Sequence, residues 1–144
     1  VDSEYVLIAS ELYLGGDGEV ADAAKLAAMT PDVMSFNGRA FQYAAHPISA
    51  KVGERIRVWV LDAGPNLPLS FHVVGTQFDT VWREGDYEIR GGGEGGAAAQ
   101  VLSLHAAEGG FVEFTPLEAG RYSFVNHAMS LAEKGEQGAF LVTE

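Results

Sequence analysis

No cysteine occurs among the 144 residues. That absence excludes disulfides, thiolate nucleophiles and zinc–thiolate sites, and with them a blue-copper centre, which needs a Cys thiolate beside two histidines. It also leaves the redox compartment without a mark in the sequence. Positive charge is scarce: 9 Lys and Arg stand against 20 Asp and Glu, for a net charge of −11. A chain of this sign repels phosphate backbones, so no nucleic-acid partner is expected. Residues 1–32 alone carry seven acidic groups against the single Lys25. No apolar run reaches the ~18 residues of a membrane-crossing helix, and no membrane insertion is expected. The sequence starts Val1-Asp2-Ser3, without an initiator Met or a basic-then-apolar signal region. A mature secreted form or an excised domain would start this way.

What is present is apolar residue in short alternating runs. Hydrophobic residues make up 47% of the chain, enough for a core without staples. A chain of this length buries roughly 68–70% of its extended surface. In Arg55-Ile56-Arg57-Val58-Trp59-Val60 the aliphatic residues fall on one side and the charged or amphipathic ones on the other, the pattern of a half-buried strand with one wet face. Similar runs occupy residues 5–10, 33–36, 48–52, 69–74, 80–82, 100–105, 111–114, 122–126 and 139–143. Gly53, Gly64-Pro65-Asn66, Gly109-Gly110 and Gly120 punctuate them. Many short strands with turn signals at this spacing predict an all-β fold, a Greek-key β-sandwich spanning residues 1–144 as one domain. One helix is predicted over residues 20–29, stopped by Thr30-Pro31 and packed on the sandwich through its Ala, Leu and Met side chains. A short helical turn is expected over residues 130–134. Gly91-Gly92-Gly93-Glu94-Gly95-Gly96 reads as a flexible surface loop; it lacks the lysine and following helix of a phosphate-binding loop.

The candidate chemistry rests on four histidines, His46, His72, His105 and His127. None is paired as His-x-His or spaced i, i+4 on a helix, and a self-contained metal site needs three or four close ligands. His127 follows the strand Tyr122-Ser123-Phe124-Val125-Asn126, where a sandwich presents side chains at its rim. His72 lies in an apolar strand and is expected to pack inward or at an interface. His105 reads as a strand-face residue, and His46 as a loop residue before Pro47. No Gly-x-Ser-x-Gly elbow occurs, and the carboxylates are scattered as on a solvated face.

Three stretches resemble the second domain of copper nitrite reductases. His72-Val73-Val74-Gly75-Thr76-Gln77-Phe78-Asp79-Thr80-Val81-Trp82 is similar to its His-x-x-Gly-x-His-x-Asp-x-Val-Trp stretch. Val125-Asn126-His127 and the residues after it resemble its Val-Asn-His-Asn-Leu-Ile-Glu-Ala segment. Upstream, Thr30-Pro31-Asp32-Val33-Met34-Ser35-Phe36-Asn37-Gly38 resembles Thr-Pro-Thr-His-Val-Val-Phe-Asn-Gly, and the match runs in order along nearly the whole chain.

The resemblance implies a cupredoxin fold in a multidomain copper protein that forms homotrimers and acts on a small-molecule substrate outside the cytoplasm. It implies that His127 is this domain's ligand to a type 2 copper whose other two histidines come from another domain or subunit. It puts Gln77 at the position of the family's catalytic histidine, where Gln can donate a hydrogen bond but cannot act as an imidazole acid. Multicopper oxidases share the fold, but their last domain carries His-x-His and His-Cys-His where His72-Val73-Val74 and Val125-Asn126-His127 stand here. The expected function is therefore a nitrite-reductase-like copper oxidoreductase domain, incomplete alone; the alternative is a non-catalytic cupredoxin-like assembly module.

Overall fold

The alternation around Arg55 becomes a central strand. In the computed structural model, which describes residues 1–91 and 96–144, Ile56, Val58 and Val60 are fully buried while Arg57 and Trp59 face outward. The expected Gly91–Gly96 loop lies largely outside the described residues. Eleven strands are described: β1 (Ser3–Leu12), β2 (Val33–Phe36), β3 (Ile48–Lys51), β4 (Ile56–Asp62), β5 (Leu69–Val73), β6 (Thr80–Arg83), β7 (Asp86–Ile89), β8 (Val101–Leu104), β9 (Gly109–Phe114), β10 (Gly120–Asn126) and β11 (Gln137–Thr143). They form two sheets, ordered β2-β1-β4-β9-β6-β7 and β3-β11-β10-β5-β8. The chain passes repeatedly from one sheet to the other, so the all-β sandwich expected from the alternation is the observed architecture. Two pairings, β1 with β4 and β11 with β3, are parallel.

Between the sheets lies one apolar core rich in phenylalanine. Phe36, Phe71, Phe78, Phe114, Phe124 and Phe140 are all essentially inaccessible. Most of their rings meet edge-on or tilted, as between Phe36 and Phe124 at 5.6 Å and Phe124 and Phe140 at 5.4 Å, while Phe71 and Phe78 are stacked at 6.2 Å. Each such ring contributes about 1.5–3 kcal/mol through burial alone. Gly138 is required here, because a Cβ on β11 would collide with the Phe124 ring and Tyr43.

The outward face of β4 is not simply wet. Trp59, Trp82 and Phe111 pack together, with Trp82 stacked on Phe111 at 5.6 Å, and the Arg57 guanidinium lies 4.5 Å from the Phe111 ring centroid. Beside this cluster Arg55 bridges Asp79, at 2.9 and 2.7 Å, and Glu113, at 2.7 Å. Arg57 holds the other Glu113 oxygen at 2.5 Å. The Asp79 carboxyl is pulled below its ordinary range by Arg55; burial opposes the same shift at Glu113, but Arg57 and Arg55 prevail.

The helical segments differ from expectation. Among the described residues three short helices occur, α1 (Ala23–Ala28), α2 (Gln42–Ala45) and α3 (Met129–Ala132). Helix α1 falls inside the expected 20–29 segment but buries no residue. Rather than packing on the sandwich, it is held by the Asp22 cap, which accepts from Ala24 and Lys25 N–H, and by the Lys25–Asp32 ion pair at 2.9 Å. Helix α3 is the short turn expected after β10.

Replacing Arg55 by Met should cost about 2 kcal/mol, since it strips charge-assisted hydrogen bonds from two carboxylates on a half-screened face. Urea unfolding at pH 7 measures this; an unchanged midpoint would mean that the network adds nothing to stability.

Candidate functional site

Strand β5 alternates strictly: Leu69, Phe71 and Val73 are buried, while Ser70 and His72 point away from the core. Its partner β10 buries Phe124, Val125 and Asn126; Val125 lies on the His72 side of the five-stranded sheet, and by alternation His127, two residues on, emerges on that same outer face. The register sets His72 opposite Val125 and Phe71 opposite Asn126. His127 continues this pairing by donating its backbone N–H to the Ser70 carbonyl at 2.8 Å. Two histidines 55 positions apart thereby become neighbours, with ring centroids 5.4 Å apart and planes inclined at 66°.

Their surroundings differ. His72 is half-buried, and its Nδ1 lies 2.5 Å from the Gln100 carbonyl. A carbonyl can only accept, so Nδ1 carries the hydrogen and Nε2 is left for another partner. His127 is exposed, and among the described residues its ring makes no hydrogen bond. It is thus a free imidazole on a fixed backbone, which fits a metal ligand. Among the described residues no group of three or more His, Cys, Asp or Glu could hold a metal ion. A copper at His127 would need ligands from outside this set.

Gln77 is exposed and lines a shallow hollow of about 300 Å³ with Gly75, Thr76 and Gln100. No hydrogen bond among the described residues joins it to His127; the imidazole set against His127 is that of His72. His105 lies just beyond β8 and His46 at the end of α2, both exposed and neither beside the pair. In the His72–Trp82 stretch His72 lies on this face, whereas Asp79 and Trp82 belong to the network of the other sheet.

Beneath His127 lies a polar arrangement that the sequence reading did not single out. Asn126 and Glu136, each 1% exposed, are joined by a bond from Asn126 Nδ2 to Glu136 Oε2 at 2.8 Å. Burial pushes the Glu136 carboxyl up to about 8, with smaller contributions from Asp62 and Glu11. Asp62, also buried, is pushed up to about 6 for the same first reason, and its Oδ2 has no partner.

The sequence matches no family model. It is 33% identical over 149 aligned positions to the copper-containing nitrite reductase of Neisseria gonorrhoeae, a match covering 99% of this chain and 36% of that protein. The corresponding protein of Neisseria meningitidis serogroup B matches at the same identity over 37% of its length. Among solved structures, a copper-containing nitrite reductase from Thermus scotoductus superposes with a TM-score of 0.84 at 26% identity, covering 99% of this chain and 31% of that one. The copper nitrite reductase of Nitrosomonas europaea gives 0.84 at 27%, covering 99% and 50%. The chain is a cupredoxin-fold relative of the copper-containing nitrite reductases. A multicopper oxidase from Campylobacter jejuni, at 18% identity and a TM-score of 0.74, shares the cupredoxin fold alone. This cupredoxin chain spans little more than a third of the length of the curated relatives it matches.

The buried acids give the domain a testable pH profile. Glu136 releases its proton near the ordinary 4.5 when unfolded but only near 8 when folded. Its contribution is therefore fully present below about 4.5 and is lost as pH rises through 8. Asp79 and Glu113 act oppositely, losing theirs as pH falls below the carboxylate range. Stability should peak in mildly acidic solution and decline toward pH 8, and Glu136→Gln should flatten that decline. Chemical denaturation from pH 4 to 9 measures both curves; parallel curves would remove Glu136 as the cause.

Proposed function

We propose that this chain is the second cupredoxin domain of a copper oxidoreductase resembling nitrite reductase, with His127 as its ligand to a type 2 copper shared with another domain or subunit. The observation that carries the reading is the exposed His127 imidazole, without a hydrogen-bond partner among the described residues and held beside His72 on an outer sheet face. When bound, copper supplies the one-electron chemistry and a positive centre for an oxyanion substrate. The remaining roles belong to this chain. His127 offers a ring nitrogen from a backbone fixed on β10. His72, anchored through Nδ1–H to Gln100, leaves Nε2 as an acceptor in the neutral ring; once that nitrogen is protonated it can donate to a ligand beside the metal and pass it that proton. One-electron reduction of nitrite to nitric oxide consumes two protons and releases water, so an imidazole at this place has a task. The role that the resemblance assigned to Gln77 therefore goes to His72. The assembled protein is a homotrimer outside the cytoplasm, with further cupredoxin domains supplying the missing ligands.

A second reading has one observation in its favour. The described residues hold no metal-binding group of their own, as suits a domain that only helps assemble a larger copper protein.

Variants of the full-length parent protein separate the two. His127→Ala should remove one copper per subunit. His72→Ala should keep the copper and lower kcat by about 10²–10⁴-fold, the usual contribution of a positioned proton donor, and Gln77→Ala should do neither. Full copper content and activity in His127→Ala would leave the assembly role standing.

A further inference from the structure

The Asn126 carboxamide has its bonding atoms engaged on both sides. Its Oδ1 accepts from Ala128 N–H at 3.1 Å and from Ser70 N–H at 3.3 Å. The first bond closes a turn around His127; the second ties that turn to β5, whose Ser70 carbonyl accepts from His127 N–H at 2.8 Å. The backbone on both sides of His127 thus depends on the orientation of one side-chain oxygen. On the opposite side Nδ2 donates to Glu136 Oε2 at 2.8 Å, and the Asn126 backbone N–H donates to the Glu136 carbonyl at 3.1 Å.

Glu136 holds the amide from one side, and the Ala128 and Ser70 N–H groups from the other. Turning the carboxamide over would set its NH₂ against two backbone N–H groups, leaving those donors unpaired. Without the Glu136 acceptor, nothing else described holds Nδ2 in place. No cation among the described residues pairs with Glu136, so a buried acid stands where an apolar side chain would be cheaper to bury. The chain around it is equally constrained: Gly135 has a φ of +128°, and a Cβ there would run into the Met34 carbonyl and Ala40.

We propose that Glu136 is a positioning residue for His127, acting through the Asn126 carboxamide to present the imidazole beside His72. The inference deepens the copper-ligand reading of His127 and rests on it for its function.

NMR of the ¹⁵N-labelled chain tests it. Glu136→Gln, whose Oε1 can still accept, should keep the cross-relaxation between the His72 and His127 ring protons and the slow exchange of the Ala128 amide. Glu136→Leu should lose both, with Ala128 exchanging at least about 10-fold faster while Val58 and Val112 amides in the other sheet are unchanged. A purely structural loss of stability would speed all of them together, and that result overturns the proposal, as does an unaltered Ala128. Should Glu136→Leu not fold, Glu136→Met, unbranched and close to Glu in length, removes the acceptor instead and should free Ala128 alone; an unaltered Ala128 overturns the proposal. Cu²⁺ added alone examines the underlying reading separately. Selective broadening of the His127 ring signals supports it, whereas broadening elsewhere removes the metal role of His127 without changing what the exchange data say of Glu136.

Discussion

Asn126 ties together three stretches of chain that the sandwich must align: the start of β5, the turn after β10 and the approach to β11. Hydrogen bonds from a buried carboxamide are short-ranged and directional, so all of them form in one register only. A slip of β10 by one residue would lose them and turn Phe124 out of the core. The same register sends His127 outward next to His72. Packing of the phenylalanine core and presentation of the imidazoles are therefore one constraint, met at a single residue.

The stretch from His72 to Trp82 shows how a compact sequence signature can divide between two tasks. After β5 the chain turns at Gly75, crosses between sheets and reaches β6 beside β9. His72 stays on the five-stranded face. Asp79 leaves it to form the forked ion pair with Arg55, and Trp82 stacks in the aromatic cluster outside the six-stranded sheet. They do not join the imidazole pair; they anchor the strand that follows it.

The strands were legible because a sheet buried on one face imposes period two, and ten of the eleven coincide with alternating runs. The exception, β7, pairs only with β6 and has three of its four residues exposed, so burial imposes no alternation on it. Helix α1 was legible from its helix-forming residues and the Thr30-Pro31 stop, but its apolar content was misleading: a six-residue helix held by Asp22 and Lys25 needs no core contact. Of the site, His127 could be found at the end of its strand. The adjacency of His72 could not, since it depends on the register between strands distant in sequence. Glu136 read as one more solvated acid because nothing local distinguishes a carboxylate over water from one sealed beneath a turn.

On the proposed copper-ligand reading of His127, the open face bears on why the metal chemistry would be shared rather than internal. An imidazole commits one ring nitrogen to a metal, and this face offers two imidazoles, one of them already tied to a carbonyl. Exposed Val74 follows β5 on one side and exposed Met129 follows His127 on the other. A partner surface covering those apolar groups would expel water from around the pair, strengthening the hydrogen bonds and charge interactions that an anionic substrate makes there. Association would then do two things at once, completing the ligand set and lowering the local dielectric, and neither is available to the face while it remains open.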